Sequence, residues 1–403
     1  MEQPRRHADC DGSGVSKKDL SKLNVETRLA HAGRNAATNG APVNPPVHRA
    51  TTLLFEDTET LYDAPKTYAI DGMAVQEALR EALVAVEGGA GAVLAPTGLA
   101  ACTLAILTVA RADSELLVTD SAYKPTRNFC TRMLRRFKVR PRFYDPRIGA
   151  DIAELIDENT CAVFMESPGS STFEIQDVPA IAAAAHARNV PALLDNTWSA
   201  GVHFKPFEHG VDLSIQALSK YQGGHADVFL GSVTSASPEW QERVWHTHKQ
   251  LGAAVSPDDA FLALRGMRTL AVRLERQGAS ALRIAEWLAG RSEVSQVLHP
   301  ALPSSPDHGL WKRDFLGASG LFGLVLKPCA PEALKAMLES LELFAMGWSW
   351  GGYESLIVPS DRQIIRTARK WSAEGPTLRL SIGLEHPDDL IADLAQAFTN
   401  LSA

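Results

Sequence analysis

The sequence predicts an α/β protein: a larger domain with a mainly parallel sheet between helices, then a smaller C-terminal α+β domain. Short apolar runs bounded by polar or turn residues alternate with segments of helical period, as in a sheet layered by helices. No Gly-x-Gly-x-x-Gly follows the first of these runs, which speaks against a dinucleotide fold. At 403 residues the chain also exceeds one ordinary domain and has volume for a sizeable core.

Taken in order, residues 1–23 mix charged and small residues with little apolar surface to offset ordering entropy, so they read as an unstructured tail. Residues 24–71 read as an extended arm, because Pro42, Pro45 and Pro46 disfavour helix. Val75, Ala78, Leu79, Ala82, Leu83 and Val86 fall at helical spacing, and Gly88-Gly89 stops that helix. Ala92–Ala95 reads as a strand, Pro96-Thr97-Gly98 as a turn and Leu99–Ala110 as a helix. Leu116–Val118, Ala162–Met165, Ala192–Leu194, Leu213–Ala217 and Val228–Val233 are further strands, which places the larger domain at 72–257. Ser256-Pro257-Asp258 opens a long helical pattern with Phe261, Leu264, Met267, Ala271 and Leu274 near one face. Asp258 and Asp259 suit its first turn. The second domain, 258–403, has Leu321–Leu326 and Leu378–Ile382 as strands and Pro331–Leu341 as a helix.

Composition narrows the function. A net charge of -7 without a basic track argues against nucleic acid as the main partner. The densest basic group, Arg132, Arg135 and Arg136, fits one solvated helix face. No apolar run reaches membrane length and the N-terminus lacks a signal peptide's apolar core, so a cytoplasmic protein without a membrane partner is expected. Five cysteines, Cys10, Cys102, Cys130, Cys161 and Cys329, show no CxxC spacing and read as reduced thiols. His246 and His248 read as a surface pair, and no metal site is expected.

Two of the short runs end in reactive side chains. Asp195 follows one apolar strand and Lys220 follows the next, Leu213–Leu218. Ligands of parallel sheets collect at the carboxyl ends of the strands, so this acid and this amine can face one pocket. An acid and a lysine there suit pyridoxal phosphate (PLP). The amine can form a Schiff base with the cofactor aldehyde, and the carboxylate keeps the pyridine nitrogen protonated. On spacing alone, a lysine after a strand is usually a solvated loop residue.

The segments DNTWSAG (195–201) and SIQALSKYQGGHAD (214–227) resemble the cofactor segment of the Cys/Met-metabolism PLP-dependent enzymes, a likeness that extends over residues 24–402. The resemblance implies the aspartate-aminotransferase fold type, with PLP carried on Lys220 and paired with Asp195. It puts the cofactor phosphate at Gly98 and Leu99, where a helix N-terminus presents free N–H groups, with the hydroxyl of Ser219 beside them. Tyr123 corresponds to the tyrosine that stacks on the ring. Arg379, in Thr377–Glu385, corresponds to the arginine that grips the substrate carboxylate, a task suited to its planar fork. Ser349 and Trp350 correspond to further carboxylate contacts. Trp350, and Ser170 in Glu166–Ser170, follow the β-lyase branch, whereas the γ-eliminating branch has leucine and asparagine there.

The reaction implied by the resemblance is β-elimination from a small amino-acid substrate. Lys220 removes the Cα proton, and Lys220 or Tyr123 protonates the departing thiolate. L-Cystathionine would give homocysteine, pyruvate and ammonia, a step of methionine biosynthesis. Other carbon–sulfur lyase activity, or a weakly PLP-binding relative without catalysis, are the alternative readings. The resemblance also implies a homotetramer built as a dimer of dimers, each arm completing a neighbour's site. Tyr68 matches the tyrosine of the arm's phosphate-binding Tyr-x-Arg, but Ile70 stands where the arginine belongs. Losing such a contact costs roughly 1.5–3 kcal/mol. Compensation by another cation such as Arg49, weaker cofactor binding and altered chemistry all remain open on sequence grounds.

Overall fold

The computed structural model describes residues 20–34 and 42–402. The larger sheet has seven strands: β1 (Gly91–Ala95), β2 (Glu115–Thr119), β3 (Arg140–Tyr144), β4 (Thr160–Glu166), β5 (Ala192–Asp195), β6 (Leu213–Gln216) and β7 (Gly231–Ser235). Their order is β1-β7-β6-β5-β4-β2-β3. The pairs from β3 through β6 are parallel, while β7 runs antiparallel to both β6 and β1. The smaller sheet is antiparallel, with β8 (Val294–Leu298), β9 (Leu321–Leu326), β10 (Leu356–Pro359) and β11 (Thr377–Ser381) in the order β10-β11-β9-β8.

The apolar runs are nearly continuous because both faces of the larger sheet are covered. Alternate residues serve opposite cores. Leu116, Val118, Phe164 and Leu193 pack on the side of helix Gly98–Val109, whereas Leu117, Val163, Met165 and Leu194 pack on the side of helix Val178–His186. Below β1, helix Ala74–Glu87 buries the predicted stripe of Val75, Leu79, Leu83 and Val86. Thr97 caps the next helix, its side chain accepting from Ala100 N at 3.0 Å.

Several expectations change. The pattern after Ser256 is two helices, Pro257–Met267 and Leu270–Ala289, broken at Arg268-Thr269. The arm is not wholly extended: Val25–His31 is helical and buries Leu29 against the core of helix Ala74–Glu87, and Arg268 donates to Leu29 O at 2.6 Å and Ala32 O at 2.8 Å. Of the predicted tail, residues 1–19 lie outside the described residues, while Leu20–Lys22 form one helical turn. His248 is not a surface residue. It is buried and stacked on Trp245 at 5.4 Å, and burial, then the nearby Arg80 charge, pushes its pKa down to about 4. Cys102, Cys130 and Cys161 are buried free thiols and Cys329 is half-buried, while Cys10 lies outside the described residues.

Glu87, at the end of helix Ala74–Glu87, anchors the sheet from beneath. Its carboxylate accepts from Ser214 Oγ at 2.6 Å, Gln216 Nε2 at 2.8 Å, Asn196 Nδ2 at 3.3 Å and Thr234 Oγ1 at 2.7 Å. These donors come from β6, β7 and the turn after β5. Glu87→Ala strands the Ser214, Gln216 and Thr234 donors in a buried space, Asn196 keeping Phe204 O, and is expected to destabilise by about 3–5 kcal/mol, read as a lower midpoint in chemical denaturation. Glu87→Gln, which keeps an acceptor, loses less.

Candidate active site

Strands β4, β5 and β6 end at one edge of the larger sheet, and the smaller domain covers that edge. Between them lies a cavity of about 650 Å³, within the usual range of ligand sites. Every predicted site residue except Tyr68 lines it: Gly98, Leu99, Tyr123, Asp195, Ser219, Lys220, Ser349, Trp350 and Arg379. Tyr68 is half exposed in the arm, bridged to Thr52, and is not a wall of this cavity within one chain.

Asp195 is the last residue of β5, and its two oxygens differ. Oδ1 accepts from Thr197 N at 3.1 Å and Thr197 Oγ1 at 2.6 Å. Oδ2 faces only the Cys102 thiol, at 3.6 Å, among the described residues. Burial pushes the Asp195 pKa up, although the Thr197 bonds and the Lys220 charge oppose this. A positively charged ring N–H at Oδ2 would remove the cost of a buried, uncompensated carboxylate.

Lys220 reaches the same space from the loop after β6. Its Nζ donates to Ser349 Oγ at 2.8 Å and lies 5.5 Å from the centre of the Trp350 ring. Burial, then the Arg379 charge, lowers its pKa to about 8, with Asp195 pulling the other way. Ser349 has φ 88°, a strained value for a residue with a side chain and one that recurs at functional sites. The next turn lies flat on the lysine: a Cβ on Gly351 would come within 3.0 Å of Lys220 C and Tyr221 N. Arg379, on β11, donates to Ser349 O at 3.0 Å, and burial brings its pKa down to about 10, so it is still a cation at neutral pH.

The wall opposite belongs to helix Gly98–Val109. Its first two N–H groups, those of Gly98 and Leu99, have no intrahelical acceptor and suit an anion. A Cβ on Gly98 would meet the Ala217 Cβ at 2.4 Å, so glycine lets this turn approach the lysine loop. The Ser219 hydroxyl, also at the cavity, donates to Leu230 O at 3.2 Å and accepts from Leu230 N at 2.9 Å. Arg49, considered as a replacement phosphate cation, is instead paired with Asp258 through bonds of 2.9 and 2.6 Å. Ile70 is partly exposed, and the neighbouring Asp71 is paired with Lys249 at 2.8 Å.

Sequence reasoning missed Glu166, the last residue of β4 and in register with Asp195. It accepts Tyr123 N–H at 2.6 Å, and burial, then the Asp195 charge, keeps its pKa well above the carboxylate range. Burial likewise raises the Tyr123 phenol, which stays protonated at neutral pH. The rule that pointed to Asp195, an acid at a strand end, points equally to Glu166.

A buried acid with one oxygen facing only a thiol, a neutralisable lysine and an anion-binding helix start in one cavity fit PLP. The family model described as "Cys/Met metabolism PLP-dependent enzyme" matches residues 26–399. The chain belongs to this family. It is 42% identical to the cystathionine beta-lyase MetC of Escherichia coli and 41% to the cystathionine beta-lyase of Salmonella typhimurium, over 95% of this chain and 100% of each relative. A solved cystathionine gamma synthase from Xanthomonas oryzae, in complex with cystathionine, superposes with a TM-score of 0.88 at 29% identity, covering 94% of this chain and 99% of that one. PLP is therefore the cofactor, and the fold is that of the family. Among the described residues no helix is long and apolar enough to cross a membrane, and no cluster of His, Cys, Asp or Glu could hold a metal.

The lowered Lys220 pKa is directly testable in cofactor-free protein. Amine labelling of Lys220 should have a midpoint near pH 8, against about 10.4 for an ordinary lysine. Arg379→Met removes a nearby positive charge that disfavours the ammonium form, so the midpoint should move up. A midpoint at the ordinary value in the unmodified chain contradicts the arrangement.

Proposed function

We propose that this chain is a PLP-dependent carbon–sulfur β-lyase that cleaves L-cystathionine, consuming one water, to homocysteine, pyruvate and ammonia, a step of methionine biosynthesis. The observation that carries the reading is Lys220 Nζ, held by Ser349 in a cavity that also presents Asp195 and Arg379. Two family members sharing more than two-fifths of the sequence bear the cystathionine beta-lyase name. Trp350, which follows the β-lyase pattern, sits against Lys220 and against the buried Tyr221 ring at 5.3 Å.

Bound PLP supplies an electrophilic carbon and a ring that takes up the electron pair released at Cα. Asp195 Oδ2 would hold the ring nitrogen in its charged state, and Gly98, Leu99 and Ser219 would hold the phosphate. Arg379, with Ser349 and Trp350 beside it, receives the substrate carboxylate through a two-pronged, charge-assisted contact. That fixes the Cα proton toward Lys220. A lysine with a pKa of about 8 has a substantial neutral fraction near that pH and can accept this proton. As the Cβ–S bond breaks, the sulfur leaves as thiolate and takes a proton from the Lys220 ammonium or the Tyr123 phenol. Tyr123, whose phenol pKa is raised by desolvation and the nearby Glu166 and so stays protonated, is suited to stack on the ring and to donate rather than accept.

The same reading makes the assembly a homotetramer, a dimer of dimers in which Tyr68 of one arm reaches a neighbouring site. It also places the protein in the cytoplasm, in keeping with its reduced thiols.

With cystathionine as substrate, pyruvate and homocysteine are the expected products; 2-oxobutyrate and cysteine would mark γ-cleavage instead. Lys220→Ala should lower kcat by about 10³-fold or more, and borohydride treatment of the wild type should leave a pyridoxyl mass on the Lys220 peptide. Arg379→Ala should reduce kcat/KM by roughly 10- to 100-fold. A protein that takes up no PLP when given excess would support the non-catalytic alternative.

A further inference from the structure

A strap of the smaller domain, residues 360–376, leaves its sheet after β10 and crosses onto the larger domain before returning as β11. Its base is closed where the Asp361 carboxylate accepts Thr377 N at 3.1 and 3.2 Å and Ser360 N donates to Thr377 O at 2.8 Å. Its tip is held by Asp120, a fully buried residue just after β2. Asp120 Oδ2 accepts the N–H groups of Thr367 at 2.6 Å, Ala368 at 2.7 Å and Arg369 at 3.3 Å. Oδ1 accepts from Arg127 at 2.7 Å and from Thr367 Oγ1 at 3.1 Å. Burial alone would raise the Asp120 pKa, but Arg127 and the strap N–H groups outweigh it and hold the carboxylate below its usual range.

Arg366, from the same tip, donates to Asp120 O and to Thr172 Oγ1, and pairs with Glu174 at 3.2 Å. The Arg366 and Glu174 side chains are 6% and 5% exposed. Removing one partner of such a buried pair leaves an uncompensated charge, so the network tolerates little displacement. Its two ends run into the cavity walls. Glu174 O accepts Gly169 N at 2.9 Å, Ser121 O accepts Ser170 N at 2.9 Å, and both Gly169 and Ser170 line the cavity. In the same loop Ser171 and Phe173 hold φ values of 65° and 60°, left-handed conformations that surrounding contacts must maintain. On the strap side, Thr377 begins β11 two residues before Arg379.

We propose that Asp120 and Arg366 are positioning residues for the reaction. The clamp fixes Arg379, carried by the smaller domain, against the larger domain's wall of Tyr123 and Ser170, and so sets where the substrate Cα sits relative to Lys220. This rests on the reading of Arg379 as the carboxylate site. A misplaced Arg379 weakens the hold on the substrate carboxylate and, to a smaller degree, the alignment of the Cα proton with Lys220.

The test compares Arg366→Lys, Arg366→Met/Glu174→Gln, which leaves no unpaired buried charge, and the milder Thr367→Val, all as PLP-loaded protein. In the double variant, PLP binding by absorbance titration should match wild type. KM should rise about tenfold with a smaller fall in kcat, and tryptic cleavage after Arg369 and Lys370 should accelerate about tenfold. Arg366→Lys should recover part of both effects, and Thr367→Val should change each about threefold. Unchanged KM, kcat and cleavage in the double variant and Thr367→Val overturn the proposal, as does a loss of PLP binding with normal KM. Arg379→Ala is the control: an unchanged KM there, beside a raised KM in the clamp variants, rejects the carboxylate reading and not the clamp.

Discussion

Thr197 Oγ1 donates to Asp195 Oδ1 at 2.6 Å and accepts the N–H of Ala217 at 2.9 Å, so one hydroxyl ties the acid at the end of β5 to the loop that carries Lys220. The rest of the site depends on this tie. A pyridine ring spans a fixed distance from its nitrogen to its aldehyde carbon, so the acid and the amine must keep a fixed separation to address both ends of one cofactor. Neighbouring parallel strands supply the coarse placement, because Asp195 is in register with Ile215 on β6. The Thr197 bond supplies the fine one. Its cost is low, since the same hydroxyl satisfies a buried carboxylate oxygen and a backbone N–H that the strand end would otherwise leave unpaired.

Charge balance is set by this placement. Among the described residues the cavity presents the carboxyl groups Glu166, Asp195 and Asp227 and the cations Lys220 and Arg379. Two carboxylates in register cannot both ionise cheaply. Burial, then the Asp195 charge, pushes the Glu166 pKa well up and makes it a fixed support for Tyr123 N, while at Asp195 the Thr197 bonds and the Lys220 charge oppose the effect of burial. Burial lowers the Lys220 amine toward neutrality and the Arg379 charge adds to this, while the guanidinium, also lowered by burial but starting from a far higher pKa, keeps its charge.

Much of this is legible in the sequence, and the limits are physical. Buried strands followed by helix-compatible segments betray their ends, and parallel-sheet ligands collect at those ends, so Asp195, Lys220 and the Gly98 turn are accessible from the chain alone. The strand Arg140–Tyr144 is not, because an edge strand shows arginine and proline where a central strand shows apolar residues. His248 is misjudged because its burial comes from helix Ala74–Glu87 and the arm, which periodicity within its own helix does not reveal. The break at Arg268-Thr269 escapes because the apolar spacing continues across it. Most opaque is the clamp: Asp120 and Thr367 are 247 residues apart and neither lies in a motif.

The position of Ile70 sharpens what the cofactor phosphate can rely on. Within one chain the part of the cavity to which the proposed function assigns the phosphate offers the two N–H groups that open helix Gly98–Val109 and the Ser219 hydroxyl, already engaged by Leu230. Arg49 is held by Asp258 at the start of helix Pro257–Met267, and its side chain is 74% exposed, so that pair is screened and easily exchanged. Asp71 is different: it is tied to Lys249 and its carbonyl accepts from Arg80 at 2.6 Å, which fixes the chain next to Ile70 on its own subunit. Under the proposed function, an arm pinned at Asp71 would bring Tyr68 to a neighbour without a strong cation, and retention of the phosphate would fall mainly to the helix start, whose partial charge is about half a unit. That would be a weaker hold than a guanidinium fork, and it would leave Lys220 and Asp195 as the principal anchors of the ring.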